Sequence, residues 1–288
     1  MIDAKTKLFS VIGDPIGHSL SPIMHNAVFK GLDLNCAYVA FKVGEAELAN
    51  AIGGFRALGI GGFNVTTPHK IRVIEFLDEV SEEVELIGAC NTVKNDGGEL
   101  VGYNTDGMGA LEALKKTTKV EGKGVLVLGA GGASRAICFQ LALEKVGRLT
   151  IANRTLGKAE QLAKEISEKT GCNANSSNVS EDGLKGEISE VEMMINTTSV
   201  GMHPNIDETL VTSDMMDEHL VVMDIVYNPL ETRLLKEAKK AGAKTVDGLG
   251  MFVYQGAEAL RIWLGIEPPI GLMRGAVLRK LQKIDSKF

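Results

Sequence analysis

The sequence predicts an α/β chain of two domains, an N-terminal α/β domain and a C-terminal Rossmann-like domain. Three observations carry this. Apolar strand-like runs alternate with helix-period segments along the chain, a strand-glycine-helix string stands at 124–136, and 123 residues precede it, enough for a domain of their own. The 288 residues leave room for two units of about 100 to 150 residues each.

In the first half, 8–12, 36–41 and 60–65 read as strands rich in β-compatible residues. Between them, 22–31 carries Ile23, Ala27 and Val28, and 45–58 carries Leu48, Ile52, Phe55 and Leu58 at the helical period. A further helix is expected near 71–77. Strands at 92–95 and 99–103 flank Asp96-Gly97-Gly98, a hairpin-turn signal, and Asn104-Thr105-Asp106-Gly107 leads into a helix with Met108, Leu111 and Leu114. In the second half, strands are expected at 125–128, 149–152, 193–196, 221–225 and 244–246, with helices at 158–169 and 231–241 among them and two final helices at 251–264 and 272–283. The polar stretch 173–182 reads as a surface loop.

Composition narrows the function. A hydrophobic share of 44% with 24% charged residues fits a soluble globular protein, and a net charge of −6 argues against a general nucleic-acid or membrane surface. No N-terminal signal segment or membrane span is read, so a cytoplasmic location is expected. Cys36, Cys90, Cys138 and Cys172 lack C-x-x-C spacing, and the five histidines lack metal spacing, so neither disulfides nor a metal site is expected.

The string at 124–136 is read as a phosphate cradle. Val125 to Leu128 suit a strand covered on both faces, and Gly129 and Gly131 allow the turn and the close approach of a pyrophosphate to a helix N-terminus. Ser134 replaces the third glycine of the usual fingerprint, and the alternative is a glycine turn in another α/β sheet. The next strand ends in Asn153-Arg154-Thr155, where an NAD-binding unit usually offers a carboxylate to the ribose. Arginine there suits a 2′-phosphate, which points to NADP(H).

In Asn64-Val65-Thr66-Thr67-Pro68-His69-Lys70, Pro68 fits the first position of a helix with Thr67 as N-cap. Lys70 then opposes the helix dipole, which would push its pKa down towards use as a proton-transfer group, against the plainer reading of a solvated lysine. Asp106 is either a helix cap or a carboxylate that orients Lys70. Ser19 and Ser21 suit a substrate carboxylate, although Ser21 before Pro22 is equally an ordinary N-cap.

Taken together, the strings GDPIGHSLSP (13–22), NVTTPHK (64–70), GACNT (88–92), NTDG (104–107), GAGGAS (129–134) with NRT (153–155), NTTSVGM (196–202), DIVYNP (224–229) and GLGMFVYQGA (248–257) resemble the shikimate dehydrogenase family over 13–279. The resemblance implies reversible NADPH-dependent reduction of 3-dehydroshikimate to shikimate in aromatic amino-acid biosynthesis. It implies Lys70 as acid/base residue with Asp106 as partner, and Ser19, Ser21, Thr66, Asn91, Tyr227 and Gln255 around the substrate's carboxylate and hydroxyls. Gly129, Ala130, Gly131, Gly132, Ala133, Asn153, Arg154, Thr155, Lys158, Ile225, Gly248 and Met251 would line the cofactor. It further implies a substrate domain over 1–104 with 250–288 packing back on it, a Rossmann-like NADP-binding domain over 105–249, and a cleft between them that closes during turnover. His69 stands where that family often has an apolar or aromatic residue. The rival readings are an NAD-preferring quinate/shikimate dehydrogenase and a non-catalytic module that senses NADP. A monomer or homodimer is expected, with no nucleic-acid or membrane partner.

Overall fold

The computed structural model describes residues 2–285. The chain divides into two compact units, one running to Thr105 and resuming at Gln255, the other spanning Asp106–Tyr254.

The first unit opens with β1 (Lys7–Gly13), α1 (Ser21–Gly31), β2 (Cys36–Lys42), α2 (Leu48–Ala57) and β3 (Gly62–Val65). A 3₁₀ turn over Arg72–Phe76, β4 (Glu79–Val80), α3 (Glu82–Ile87), β5 (Thr92–Asp96) and β6 (Glu99–Tyr103) follow. The sheet order is β2-β1-β3-β5-β6-β4, with β1 parallel to β2 and β3, and β5 antiparallel to both β3 and β6. Gly97 and Gly98 both take positive φ, so the Asp-Gly-Gly signal marks the observed hairpin. One core layer joins Ile12, Phe63 and Val65 of the sheet to Leu48, Ile52 and Phe55 of α2. At the outer edge, the Asn26 amide of α1 donates to the Tyr38 carbonyl at 2.8 Å and accepts from its N–H at 2.9 Å.

The second unit contains α4 (Asp106–Lys115), β7 (Gly124–Leu128), α5 (Gly132–Leu143), β8 (Arg148–Ala152), α6 (Leu156–Thr170), β9 (Ala174–Ser177) and α7 (Glu181–Ile188). It continues with β10 (Met193–Asn196), β11 (Val221–Asp224), α8 (Arg233–Lys240) and β12 (Lys244–Val246). All pairings are parallel in the order β12-β11-β10-β7-β8-β9. Numbered within the unit, this is the doubly wound order 3-2-1-4-5-6 read from β9, with its switch point between β7 and β10. Leu126, Leu128, Met194 and Val222 face α7 and α8, which leaves Val125, Val127, Met193 and Ile195 to the opposite face. Burial on both faces explains why these strands read as unbroken apolar runs.

The chain ends in α9 (Gly248–Leu264) and α10 (Ile270–Asp285). Trp263 of α9 stacks on Phe9 at 5.0 Å and donates its indole N–H to the Val93 carbonyl at 2.9 Å, and α10 packs on α1. No helix among the described residues is long and apolar enough to cross a membrane.

The expected loop over 173–182 is instead β9 and the start of α7. Its Ala-Asn-Ser-Ser sequence carries no apolar alternation because β9 is the outermost strand, held by its backbone pairing to β8 rather than by buried side chains.

Candidate functional site

In the first unit, three strand ends converge. Because β1 and β3 are parallel and β5 runs back against β3, the C-terminal ends of β1 and β3 and the start of β5 share one sheet edge. That edge gathers Ser19 and Ser21 after β1, Thr66 and Lys70 after β3, and Asn91 before β5. Thr66 N–H bonds to the Ile12 carbonyl at 2.9 Å, Val65 N–H to the Asn91 carbonyl at 2.8 Å, and Cys90 N–H to the Lys70 carbonyl at 2.7 Å. Lys70 is therefore fixed by its backbone to the neighbour of Asn91, and its side chain is half-buried.

This arrangement corrects the expected helix at Pro68. Thr67 is not an N-cap, because residues 67–71 form turns and only the short 3₁₀ segment follows. The carbonyls of Thr66 and Lys70 are taken by His69 N–H and Cys90 N–H, so the pairing pattern of an α-helix does not develop. The helix-dipole argument for Lys70 falls with it. The helix expected near 71–77 is a 3₁₀ helix over Arg72–Phe76 rather than an α-helix. His69 is buried, with Nε2 2.7 Å from the Val43 carbonyl, a packing role for the turn.

Ser21 is not a cap either. Leu20 occupies the N-cap position, Ser21 is the first helical residue with Pro22 behind it, and its N–H bonds to Ser19 Oγ at 3.3 Å. Asn91 is buried at the centre of a polar cluster. Its Oδ1 accepts Thr105 N–H at 2.8 Å and Thr92 Oγ1 at 3.0 Å, while its Nδ2 donates to Thr105 Oγ1 at 3.0 Å. Asp106 follows Thr105 directly, opens α4 and is 5% exposed. Gln255 lies on α9, where the close approach of Gly256 to Met24 and His25 seats this stretch against α1.

Sequence reasoning passed over Tyr38, Asn64, Thr92 and Thr105 in this unit. Tyr38 Oη donates to Asn64 Oδ1 at 2.6 Å, and Asn64 Nδ2 donates to Thr92 Oγ1 at 2.9 Å and the Asn91 carbonyl at 3.2 Å. The available signal was polar residues at strand positions 64 and 92 that otherwise read as core.

In the second unit, the predicted cofactor residues sit at the C-terminal edge of the parallel sheet, beside the switch point where doubly wound folds bind ligands. Gly129 follows β7 with φ +111°, and an added Cβ would lie 2.5 Å from Thr197 Oγ1. Only glycine fits there. Gly131 is exposed, with nothing within 4 Å of the place its Cβ would occupy, while Gly132 and Ala133 open α5. Ser134 explains the missing third glycine. Buried, it donates to the Gly129 carbonyl at 2.6 Å and pins the turn from inside the helix.

Asn153 follows β8 half-buried, its amide donating to the Thr155 carbonyl at 2.9 Å; Arg154, Thr155 and Lys158 are exposed around the N-terminus of α6. Open space beside the Gly131 backbone, a helix N-terminus next to it, the exposed cations Arg154 and Lys158, and no carboxylate at 153–155 fit NADP(H). Ile225 follows β11 and Met251 is buried in α9. Gly248 has its would-be Cβ 2.4 Å from the Ile225 carbonyl, which requires glycine at that crossing. Tyr227 stacks on Phe252 at 4.6 Å, and burial pushes its hydroxyl pKa up to about 12.

A further cluster braces this edge. Thr197 donates to the Leu128 carbonyl at 2.6 Å. The buried Asp224 carboxyl accepts Asn196 Nδ2 at 3.0 Å, Val226 N–H at 3.0 Å and Thr232 Oγ1 at 2.6 Å. Burial raises its pKa to about 6, although the three donors oppose that shift.

Family descriptions match nearly the whole chain: "Shikimate dehydrogenase substrate binding domain" at 11–93, "Shikimate / quinate 5-dehydrogenase" at 111–250 and "Shikimate 5'-dehydrogenase C-terminal domain" at 248–278. A shikimate dehydrogenase (NADP(+)) of Methanocaldococcus jannaschii is 52% identical over 98% of this chain and 100% of its own. Among solved structures, a shikimate dehydrogenase in complex with NADP+ superposes with a TM-score of 0.92 at 50% identity, covering 98% of each chain. The Listeria monocytogenes shikimate 5-dehydrogenase, in complex with shikimate and NAD, gives 0.90 at 42% identity over 96% of this chain and 98% of that one. With its two sheets, its glycine cradle and this end-to-end similarity, the chain belongs to the shikimate dehydrogenase family.

Proposed function

We propose that this protein is an NADP-dependent oxidoreductase that reduces 3-dehydroshikimate reversibly to shikimate. The observation that carries the reading is the 52% identity over 98% of the chain to a shikimate dehydrogenase (NADP(+)). The cradle at the switch point and the exposed Arg154 and Lys158 support the choice of cofactor.

When bound, NADPH supplies a hydride to the ketone carbon. Negative charge then grows on the carbonyl oxygen, and the Lys70 ammonium donates the proton that makes it a hydroxyl. In the oxidative direction the neutral lysine takes that proton back. Asp106 partners Lys70 in the proton transfer and holds a substrate hydroxyl. Ser19, Ser21, Thr66, Asn91, Tyr227 and Gln255 grip the carboxylate and remaining hydroxyls, which fixes the ring for transfer. Gly129 to Ala133, Ile225, Gly248 and Met251 shape the dinucleotide's seat; Asn153, Arg154, Thr155 and Lys158 receive its 2′-phosphate.

The test is direct. Purified protein is supplied with shikimate and NADP+, then with NAD+, then with quinate in place of shikimate, and nicotinamide absorbance is followed. Rapid reduction of NADP+ by shikimate is expected; a preference for quinate with NAD+ would overturn the assignment.

A further inference from the structure

Gly107 directly follows Asp106 in the first turn of α4, a place where glycine is a poor helix former. Its surroundings account for it. A Cβ there would lie 2.7 Å from the Ala136 carbonyl oxygen and 2.9 Å from Gln140 Cβ, both on α5. Neither atom is the far end of a flexible side chain, so no change of rotamer would make room. At the other end of the crossing Lys115, the last residue of α4, pairs with Glu144 at the C-cap of α5 at 2.9 Å. From Gly107 to Lys115 and from Ala136 to Glu144 is the same advance of about two turns, so the two helices lie side by side and run in the same direction.

α5 begins at the cradle and is the better anchored of the pair. Ser134 ties its first turn to the Gly129 carbonyl at 2.6 Å, and Ile137, Cys138 and Phe139 are fully buried. The close crossing therefore sets the start of α4, and with it Asp106, alongside the helix whose N-terminus faces the cofactor's phosphates. Asp106, Gly107 and the cradle all belong to one compact unit.

We infer that Gly107 is a positioning residue for the reaction: by admitting the α5 backbone against the first turn of α4, it fixes Asp106 relative to the cofactor cradle. The missing Cβ is what permits this approach. The inference rests on the reading that Asp106 takes part in the proton transfer.

The experiment is Gly107→Ala. To restore ordinary contact with the Ala136 carbonyl, the first turn of α4 must move by about 0.7 Å. A misplacement of about 1 Å can slow a reaction about 100-fold, so kcat with shikimate is expected to fall roughly tenfold or more. The Kd for NADP+, read by calorimetry, should stay within about twofold of wild type because the cradle keeps its place. In an Asp106→Ala background the same substitution should lower kcat by less than about twofold further, since Gly107 acts through Asp106. Gly147→Ala is the structural control. Its Cβ would lie 2.5 Å from the Gly122 carbonyl oxygen, ahead of β7 and β8 at the end of the sheet away from the cradle, so it should lower Tm and spare kcat.

An unchanged kcat for Gly107→Ala, a Kd for NADP+ that rises in step with the fall in kcat, an undiminished effect in the Asp106→Ala background, or an equal loss of kcat in Gly147→Ala would each overturn the inference. So would a Gly107→Ala chain that no longer folds, because the first turn of α4 would then not yield on its own. Wild-type protein that fails to oxidise shikimate, or an Asp106→Ala variant with full turnover, would instead overturn the functional reading on which the inference rests.

Discussion

Substituting alanine separately at Gly129 and Gly131 should separate two kinds of glycine in one turn. At Gly129, φ +111° places any side chain in a region that costs about 1–3 kcal/mol, and the new Cβ would lie 2.5 Å from Thr197 Oγ1. Relieving that overlap moves Thr197 off the Leu128 carbonyl, its 2.6 Å partner, at a further cost of about 1 kcal/mol. The sum of roughly 2–4 kcal/mol corresponds to a loss of about 4 to 16 °C in Tm for a unit of this size. Gly131→Ala should behave differently. Its φ of −93° and ψ of −171° suit any residue, and the added methyl meets open space. Thermal unfolding should therefore be unchanged, while KM for NADP+ rises about tenfold or more as the methyl blocks the phosphate's approach to the backbone. Differential scanning fluorimetry and steady-state kinetics read the two effects. An unshifted Tm for Gly129→Ala, or an unshifted KM for Gly131→Ala, would refute this account of the cradle.

Three other substitutions test the remaining assignments. Lys70→Ala should lower kcat by about 10² to 10⁴ while shikimate still binds by calorimetry, and an unchanged turnover number would remove Lys70 from the reaction. Arg154→Asp should raise KM for NADP+ by about tenfold or more and leave KM for NAD+ nearly unchanged, since the lost charge-assisted bond serves only the 2′-phosphate; equal effects on both would contradict the role given to Arg154. Asp224→Asn should expose the pH dependence of a buried acid. Because burial raises its folded pKa from 3.8 to about 6, the native state holds a proton that the unfolded chain releases across that window. Its contribution to stability is full below about pH 4 and lost as pH rises to about 6, a change of about 3 kcal/mol. Urea melts at pH 4, 5, 6 and 7 should show the advantage of wild type over the variant shrinking by that amount, and a constant difference would mean that the three hydrogen bonds hold the pKa at its ordinary value.

How much of this was legible depended on where the physical signal lay. The strand running into Gly129 was readable because burial on both sheet faces leaves an unbroken apolar run and the turn needs glycine. The hairpin at Gly97 and Gly98 was readable for the same local reason. β9 was not, since an edge strand held by backbone bonds needs no apolar side chains. Pro68 misled because proline favours a helix start in general, whereas here a local turn bond from His69 N–H and a long-range bond from Cys90 N–H claim the Thr66 and Lys70 carbonyls that a helix would use. Ser134 looked like a defect in a motif, and its compensating bond to the Gly129 carbonyl is a three-dimensional fact. The candidate residues Ser19, Ser21, Thr66, Lys70 and Asn91 could be picked out by type and motif. Their gathering at one sheet edge required the parallel pairing of β1 with β3, and Tyr38 and Asn64 announced themselves only through hydrogen bonds.

The Asn26 amide bears on how the protein avoids its own kind. β2 is the outermost strand of its sheet, seven residues long, with Val39 and Phe41 exposed, the kind of border on which another chain can add a strand and begin an aggregate. Asn26 occupies the outward N–H and C=O of Tyr38, near the middle of that strand. An approaching strand therefore meets a border already closed at its centre, with free backbone groups only in short pieces on either side. The amide that steadies Tyr38 also makes the rim of the sheet a poor template for assembly.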